Sequence, residues 1–142
     1  MTPSATDSLG PPPPTTAWMR RTGWALSGIA LLFLLMDATM KLLALDVVIQ
    51  ATGQLGFPAT AAFAQKLGLL LLICTALHVH PRTAMLGAIL LTGYLGGAVA
   101  THVRLGNPLF SHTLFGPYIG LFLWGGLYLR DAKVRAAFAF SR

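Results

Sequence analysis

Asp37 and Lys41 are the residues whose types and spacing point most clearly to chemistry. They lie four positions apart, one helical turn, near the end of an apolar stretch that runs from Trp24 to Leu43. An ionised side chain within a membrane-spanning helix costs about 2.5 to 3.5 kcal/mol on insertion scales, so it should point inward and find a partner. Asp37 can pair with Lys41 or with Lys66. The pair is either a structural ion pair or the polar centre of a ligand-binding site.

Four apolar stretches must position these charges. They cover about residues 22–43, 59–79, 83–103 and 113–129, and each can cross a hydrocarbon layer of about 30 Å at about 1.5 Å per residue. Only 10% of the 142 residues are charged, whereas soluble domains carry about 25%. The stretches are too long for barrel strands, and backbone polar groups cannot face lipid unpaired. The sequence therefore predicts an all-α fold, an integral membrane four-helix bundle.

The flanks of these stretches predict the topology. Seven Lys and Arg residues lie on the side that carries both termini and three lie on the other, so the positive-inside rule places the N and C termini in the cytoplasm. Residues 18–135 are the predicted membrane domain. Residues 1–17, rich in Pro, Ser and Thr, are a predicted disordered cytoplasmic tail, and residues 136–142 are a second cytoplasmic tail. The extracytoplasmic connection 44–58 has the apolar spacing of a short interfacial helix.

Polar residues from all four stretches converge on the extracytoplasmic half of the predicted bundle. Asp37 lies about 24 Å along the first stretch from Arg21, and Lys66 lies about 12 Å below the outer surface on the second. We therefore predict a ligand-binding site there. Its candidate residues are Asp37, Lys41, Lys66, Tyr94, His102, Arg104, Asn107 and His112.

Several function classes lack support in the sequence. It contains no nucleophile elbow, phosphate-binding loop, CxxC or HExxH motif, and no Glu, so any catalysis would depend on a bound cofactor or partner. The spacing of His102 and His112 does not indicate a metal site. His78 and His80 are expected at a hydrated helix end on the cytoplasmic side. The net charge of +6 is dispersed around apolar segments, which argues against a nucleic-acid partner.

Small residues predict where the helices approach one another. Gly93 and Gly97 lie one turn apart with Gly96 beside them, and Gly116 and Gly120 repeat this spacing in the fourth stretch. In lipid, such faces let backbones come close. We expect these glycines to pack the helices of one chain, with a dimerisation face as the alternative.

Four segments carry a family resemblance. They read MDATMKL at 36–42, LGFP at 55–58, HPRTAMLGAILLTGYLGGAVATHVR at 80–104 and WGGLYLRD at 124–131. They resemble the DoxX-like family of small bacterial membrane proteins, and the likeness covers about residues 18–135. The resemblance implies a four-helix, multi-pass protein of the bacterial inner (cytoplasmic) membrane. It also implies a link to quinone-dependent oxidoreductases and membrane redox-defence assemblies.

The resemblance and the polar cluster together favour an accessory or ligand-binding subunit of a membrane redox system. Quinone is the candidate cofactor, and Lys66, His102 and Arg104 could donate hydrogen bonds to its oxygens. The expected partners are the lipid bilayer and either a membrane redox subunit or a second copy of the chain. Two alternatives remain open: a small-solute transporter, and an assembly or structural partner without catalytic activity.

Overall fold

The computed structural model of the protein describes residues 14–138. The parts of the two predicted tails at 1–13 and 139–142 lie outside the described residues. Within the described range the all-α prediction is confirmed. The helices are α1 (Ala17–Leu42), α2 (Asp46–Gln54), α3 (Ala61–Val79), α4 (Ala84–Arg104), α5 (Phe115–Arg130) and α6 (Ala132–Phe138), and a π-helical turn (Leu109–Thr113) precedes α5.

Three of these helices, α1, α3 and α4, are long and apolar enough to cross a membrane. They carry the stretches predicted over 22–43, 59–79 and 83–103. The fourth stretch, 113–129, falls mostly on α5. This helix has 16 residues, so at about 1.5 Å per residue it spans about 24 Å, less than a typical hydrocarbon core.

Helices α1, α2 and α4 are each followed, two positions after their last residue, by a residue with a left-handed backbone. These residues are Ala44 with φ 49°, Gly56 with φ 81° and Gly106 with φ 64°. At the end of α1, the N–H of Leu45 donates to the carbonyl of Met40 at 3.3 Å, and the other two helix ends repeat this hydrogen-bond pattern. Such ends turn the chain sharply. The first of them leads directly into α2, the short helix predicted within the connection 44–58.

The four longest helices share one apolar core. α1 packs against α3 and α5, α3 packs against α4, and α4 packs against α5. Each of them contributes buried side chains to this core, which includes the lone cysteine. The core residues are Ala30, Leu34, Ala38, Leu71, Cys74, Leu91, Ile119 and Leu123. Many large apolar side chains point outward instead, such as Leu32, 74% exposed, and Leu121, 68% exposed. Helices that are apolar on their outer faces are suited to lipid contact.

Glycines make the closest helix crossings. A Cβ built at Gly23 of α1 would lie 2.7 Å from the carbonyl oxygen of Gly126 in α5, and one built at Gly68 of α3 would lie 3.0 Å from that of Ala38 in α1. At Gly87 of α4, a Cβ would collide with the backbone of His78 in α3. Backbones can therefore approach at these crossings only because a side chain is missing.

The glycines singled out from the sequence divide into two groups. Gly116 packs on α4, where an added Cβ would lie 3.3 Å from the carbonyl oxygen of Leu95. A Cβ at Gly93, Gly96, Gly97 or Gly120 would meet no atom of the described residues within 4 Å. These four glycines therefore make no close contact with another helix of the described residues, whereas the sequence predicted that they pack the helices together.

Candidate functional site

A cavity of about 620 Å³ lies between the C-terminal half of α1, α2, the C-terminal half of α4 and the start of α5. Protein interiors rarely leave voids much larger than a water molecule, and small-molecule sites typically measure about 300 to 1,000 Å³. The cavity is partly open to its surroundings, and its volume falls within the range of small-molecule sites. Most of its wall is apolar, and its apolar side chains include Phe33, Leu34, Met40, Val48, Leu95 and Phe115.

Helix α2 and the loop after it form one wall of the cavity. Val48 and Thr52 of α2 and Leu55 of the loop all line it. Arg104, at the end of α4, donates from Nη2 to the carbonyl oxygen of Leu55 at 2.8 Å. A Cβ built at Gly56 would lie 3.0 Å from that nitrogen, so glycine gives the guanidinium room. Arg104 thus ties this wall to α4 and does not itself line the cavity.

The first polar group in the wall is the ion pair of Asp37 and Lys41 on α1. Their side chains are 29% and 16% exposed, respectively. An ammonium group has three N–H donors, so Lys41 keeps two after pairing with Asp37. Tyr94 of α4 lines the same cavity, and its hydroxyl has no hydrogen-bond partner among residues 14–138. Lys41 and Tyr94 therefore offer unused donors to a ligand.

The second polar group comes from the end of α4 and the π-helical turn. His102 and His112 both line the cavity, with ring centroids 5.7 Å apart. Asn107 Nδ2 lies 2.8 Å from His102 Nδ1, and the hydroxyl of Ser111 lies 2.8 Å from His112 Nδ1. The helix end at Gly106 brings Asn107 back beside His102. Because both contacts use Nδ1, each ring keeps Nε2 for another partner.

The structure thus brings five of the eight candidate residues together around one cavity: Asp37, Lys41, Tyr94, His102 and His112. Asn107 and Arg104 lie one contact behind the wall. Lys66 is exposed, does not line the cavity, and has no hydrogen-bond or ion-pair partner within 14–138. Asp37 therefore pairs along its own helix rather than across to α3.

The apolar part of the wall was not anticipated from the sequence. Phe33, Val48 and Phe115 belong to segments whose apolar residues are equally suited to lipid or to a core. The helical spacing within the connection 44–58 was the one available signal. It predicted an apolar face on α2, but it did not indicate which part of the protein that face contacts. Among the described residues, no group of three His, Cys, Asp or Glu side chains could hold a metal ion.

His78, expected at a hydrated helix end, is instead completely buried. Its Nδ1 lies 3.2 Å from the carbonyl oxygen of Ala84 and donates to it. Arg130 of α5 donates to the carbonyl oxygen of His78 at 3.2 Å and lies 3.4 Å from its Nε2. These contacts with Ala84 and Arg130 satisfy the polar atoms of His78 that burial removes from water. His80 is exposed, as expected.

Comparison with known proteins identifies a family. The model of the DoxX-like family matches residues 25–126, more than half of the chain. No curated protein and no solved structure matches it. The matched range contains every residue that lines the 620 Å³ cavity.

Proposed function

This chain belongs to the DoxX-like family of membrane proteins, and on that premise we propose that it binds a quinone-like ligand as a non-catalytic, accessory subunit of a membrane redox system. One observation carries the proposal: a ligand-sized apolar cavity with hydrogen-bond donors from α1, from α4 and from the π-helical turn in its wall. Such a site suits a flat apolar ring that bears oxygen acceptors.

The proposed membrane arrangement places this cavity in the extracytoplasmic half of a four-helix bundle. α1, α3 and α4 are long enough to span, and α5 would complete its crossing through the π-helical turn before it, since the helical path then extends over residues 109–130. Both termini would be cytoplasmic by the positive-inside rule, in the inner membrane of a bacterium. A ligand could then enter from the lipid that surrounds the bundle.

Each part of the cavity wall has a role in this proposal. The apolar side chains of Phe33 and Phe115, whose ring centroids are 4.7 Å apart, would contact the quinone ring and its tail. Lys41 and Tyr94 would donate to one carbonyl oxygen, and Nε2 of a histidine would donate to the other. The chain would thereby orient the quinone and exclude water. Electron transfer would belong to the partner subunit.

Two adjacent glycines provide a test that separates the cavity from the rest of α4. Gly97 lines the cavity and Gly96 does not, while a Cβ at either position meets no neighbour. Gly97→Leu should fill part of the cavity and weaken binding of a short-chain benzoquinone about tenfold or more, or at least about 1.4 kcal/mol. Gly96→Leu should bind as the wild type does. Isothermal titration calorimetry with protein in lipid nanodiscs measures both affinities.

Other outcomes point to the alternative functions. Equal affinities in Gly97→Leu and the wild type would overturn the assignment of the cavity as the quinone site. Solute flux into liposomes that contain the purified protein would favour transport. A subunit that co-purifies with the wild type and is lost in Gly96→Leu would favour an assembly role, because Gly96 is open to a partner helix.

A further inference from the structure

A second cavity, of about 120 Å³, lies at the other end of the helices, near the start of α1 and the end of α5. Its wall includes Arg20 and Trp24 of α1, Pro81 between α3 and α4, and Arg130 and Asp131 at the end of α5. It is much smaller than the sites that enclose whole small molecules, which measure about 300 to 1,000 Å³. An occupant must therefore be a small group presented from outside.

Arg130 is held in this wall by uncharged partners. Its Nη2 donates to the carbonyl oxygen of His78, and its Cζ lies 4.1 Å from the centroid of the Trp24 ring. These contacts fix the guanidinium plane without supplying a negative charge. Nε is buried and makes no hydrogen bond to the described residues. A fixed guanidinium with unused donors is suited to a phosphate group.

Arg20 adds a second cation to this wall, and Asp131 adds its one carboxylate. Arg20 is exposed and has no ion-pair partner within residues 14–138. Asp131 accepts a hydrogen bond from the backbone N–H of Lys133 at 2.8 Å through Oδ1. Two guanidinium groups against one carboxylate leave the wall with a net positive charge, which favours an anion.

We infer that this cavity binds the phosphate of an anionic phospholipid. A lipid source fits its position: Arg20 and Trp24 lie near the start of α1, a helix that is long and apolar enough to span. The Trp24 side chain is 44% exposed and the nearby Trp18 is 63% exposed, as is typical of aromatic residues at a membrane interface. Basic pockets between membrane helices are known to hold lipid headgroups. The acyl chains would lie along the exposed apolar faces.

Arg20 and Arg21 supply a matched pair of variants to test this site. Both are exposed and each loses one charge on substitution with Gln, but only Arg20 lines the cavity. The protein would be extracted from bilayers of phosphatidylcholine and phosphatidylglycerol, and the retained phosphatidylglycerol counted by native mass spectrometry. Arg20→Gln should lower retention about tenfold, because it removes a charge-assisted hydrogen bond to the phosphate. Arg21→Gln should retain as much as the wild type.

Three results would overturn the inference. One is a wild-type protein that retains no more phosphatidylglycerol than phosphatidylcholine. Another is an equal loss in both variants, which would show non-specific attraction to the membrane surface. The third is displacement of the lipid by excess inorganic phosphate, which would assign the cavity to the free anion. The inference is supported if excess inorganic phosphate does not displace the phosphatidylglycerol and if Arg20→Gln, but not Arg21→Gln, lowers its retention.

Discussion

Gly87→Ala should destabilise the protein by about 2 to 3 kcal/mol, or prevent folding altogether, because it places a methyl group into the closest helix crossing. The three atoms nearest to the added Cβ all belong to the backbone of Leu77 and His78. Backbone atoms cannot rotate away as the end of a flexible side chain can. The whole end of α3, including buried His78, would have to move.

Gly96→Ala provides the control on the same helix. A Cβ there meets no neighbour, and Ala is the better helix former by about 1 kcal/mol, so stability should stay the same or rise slightly. Thermal unfolding in detergent, followed by circular dichroism, gives both Tm values. If Gly87→Ala melted at the same temperature as Gly96→Ala, the close crossing of α3 and α4 described here would be wrong.

Lys41→Met should produce the largest loss of ligand binding. It removes the ammonium donor from the cavity wall, and hydrogen bonds to charged groups contribute about 1.5 to 3 kcal/mol. Affinity for a short-chain benzoquinone should therefore fall about 10- to 100-fold. Lys66→Met makes the same chemical change at a lysine outside the cavity and should leave the affinity unchanged.

Removing Lys41 also leaves Asp37 without its partner, so a fall in affinity could reflect altered structure. Tyr94→Phe resolves this, because the Tyr94 hydroxyl makes no hydrogen bond within the described residues and its removal breaks none. This variant should melt as the wild type does and bind the quinone more weakly. Unchanged affinity in both Lys41→Met and Tyr94→Phe would contradict the roles given to these donors.

The charges were the part of the site that the sequence could predict. A charge in an apolar helix needs a partner, so the depth of Asp37 predicted that it pairs with a lysine, and its spacing made Lys41 one of the two candidates beside Lys66. The alternating direction of the helices predicted that His102 and His112 lie at the same end of the molecule as Asp37. Lys66 shows the limit of this reasoning, because depth alone does not say which face of α3 a residue occupies.

Apolar contacts were harder to predict, since in a membrane protein both the core and the exterior are apolar. Gly87 and Gly97 show this: both lie on α4, yet one touches the backbone of α3 and the other borders a cavity. Periodicity identifies small residues but not the helix that they face. His78 was misread for a related reason. Its burial depends on Arg130, which lies 52 residues away and approaches it only in the folded chain.

The most direct test of the central claim is to map where a quinone binds. A photoreactive benzoquinone would be irradiated with the protein in nanodiscs, and the labelled peptides identified by mass spectrometry. In the wild type we expect labels within residues 33–41, 47–52 and 93–102. These labels should be lost in Gly97→Leu but not in Gly96→Leu. Labels confined to lipid-facing side chains such as Leu32, Ile73 and Ile89 would contradict it.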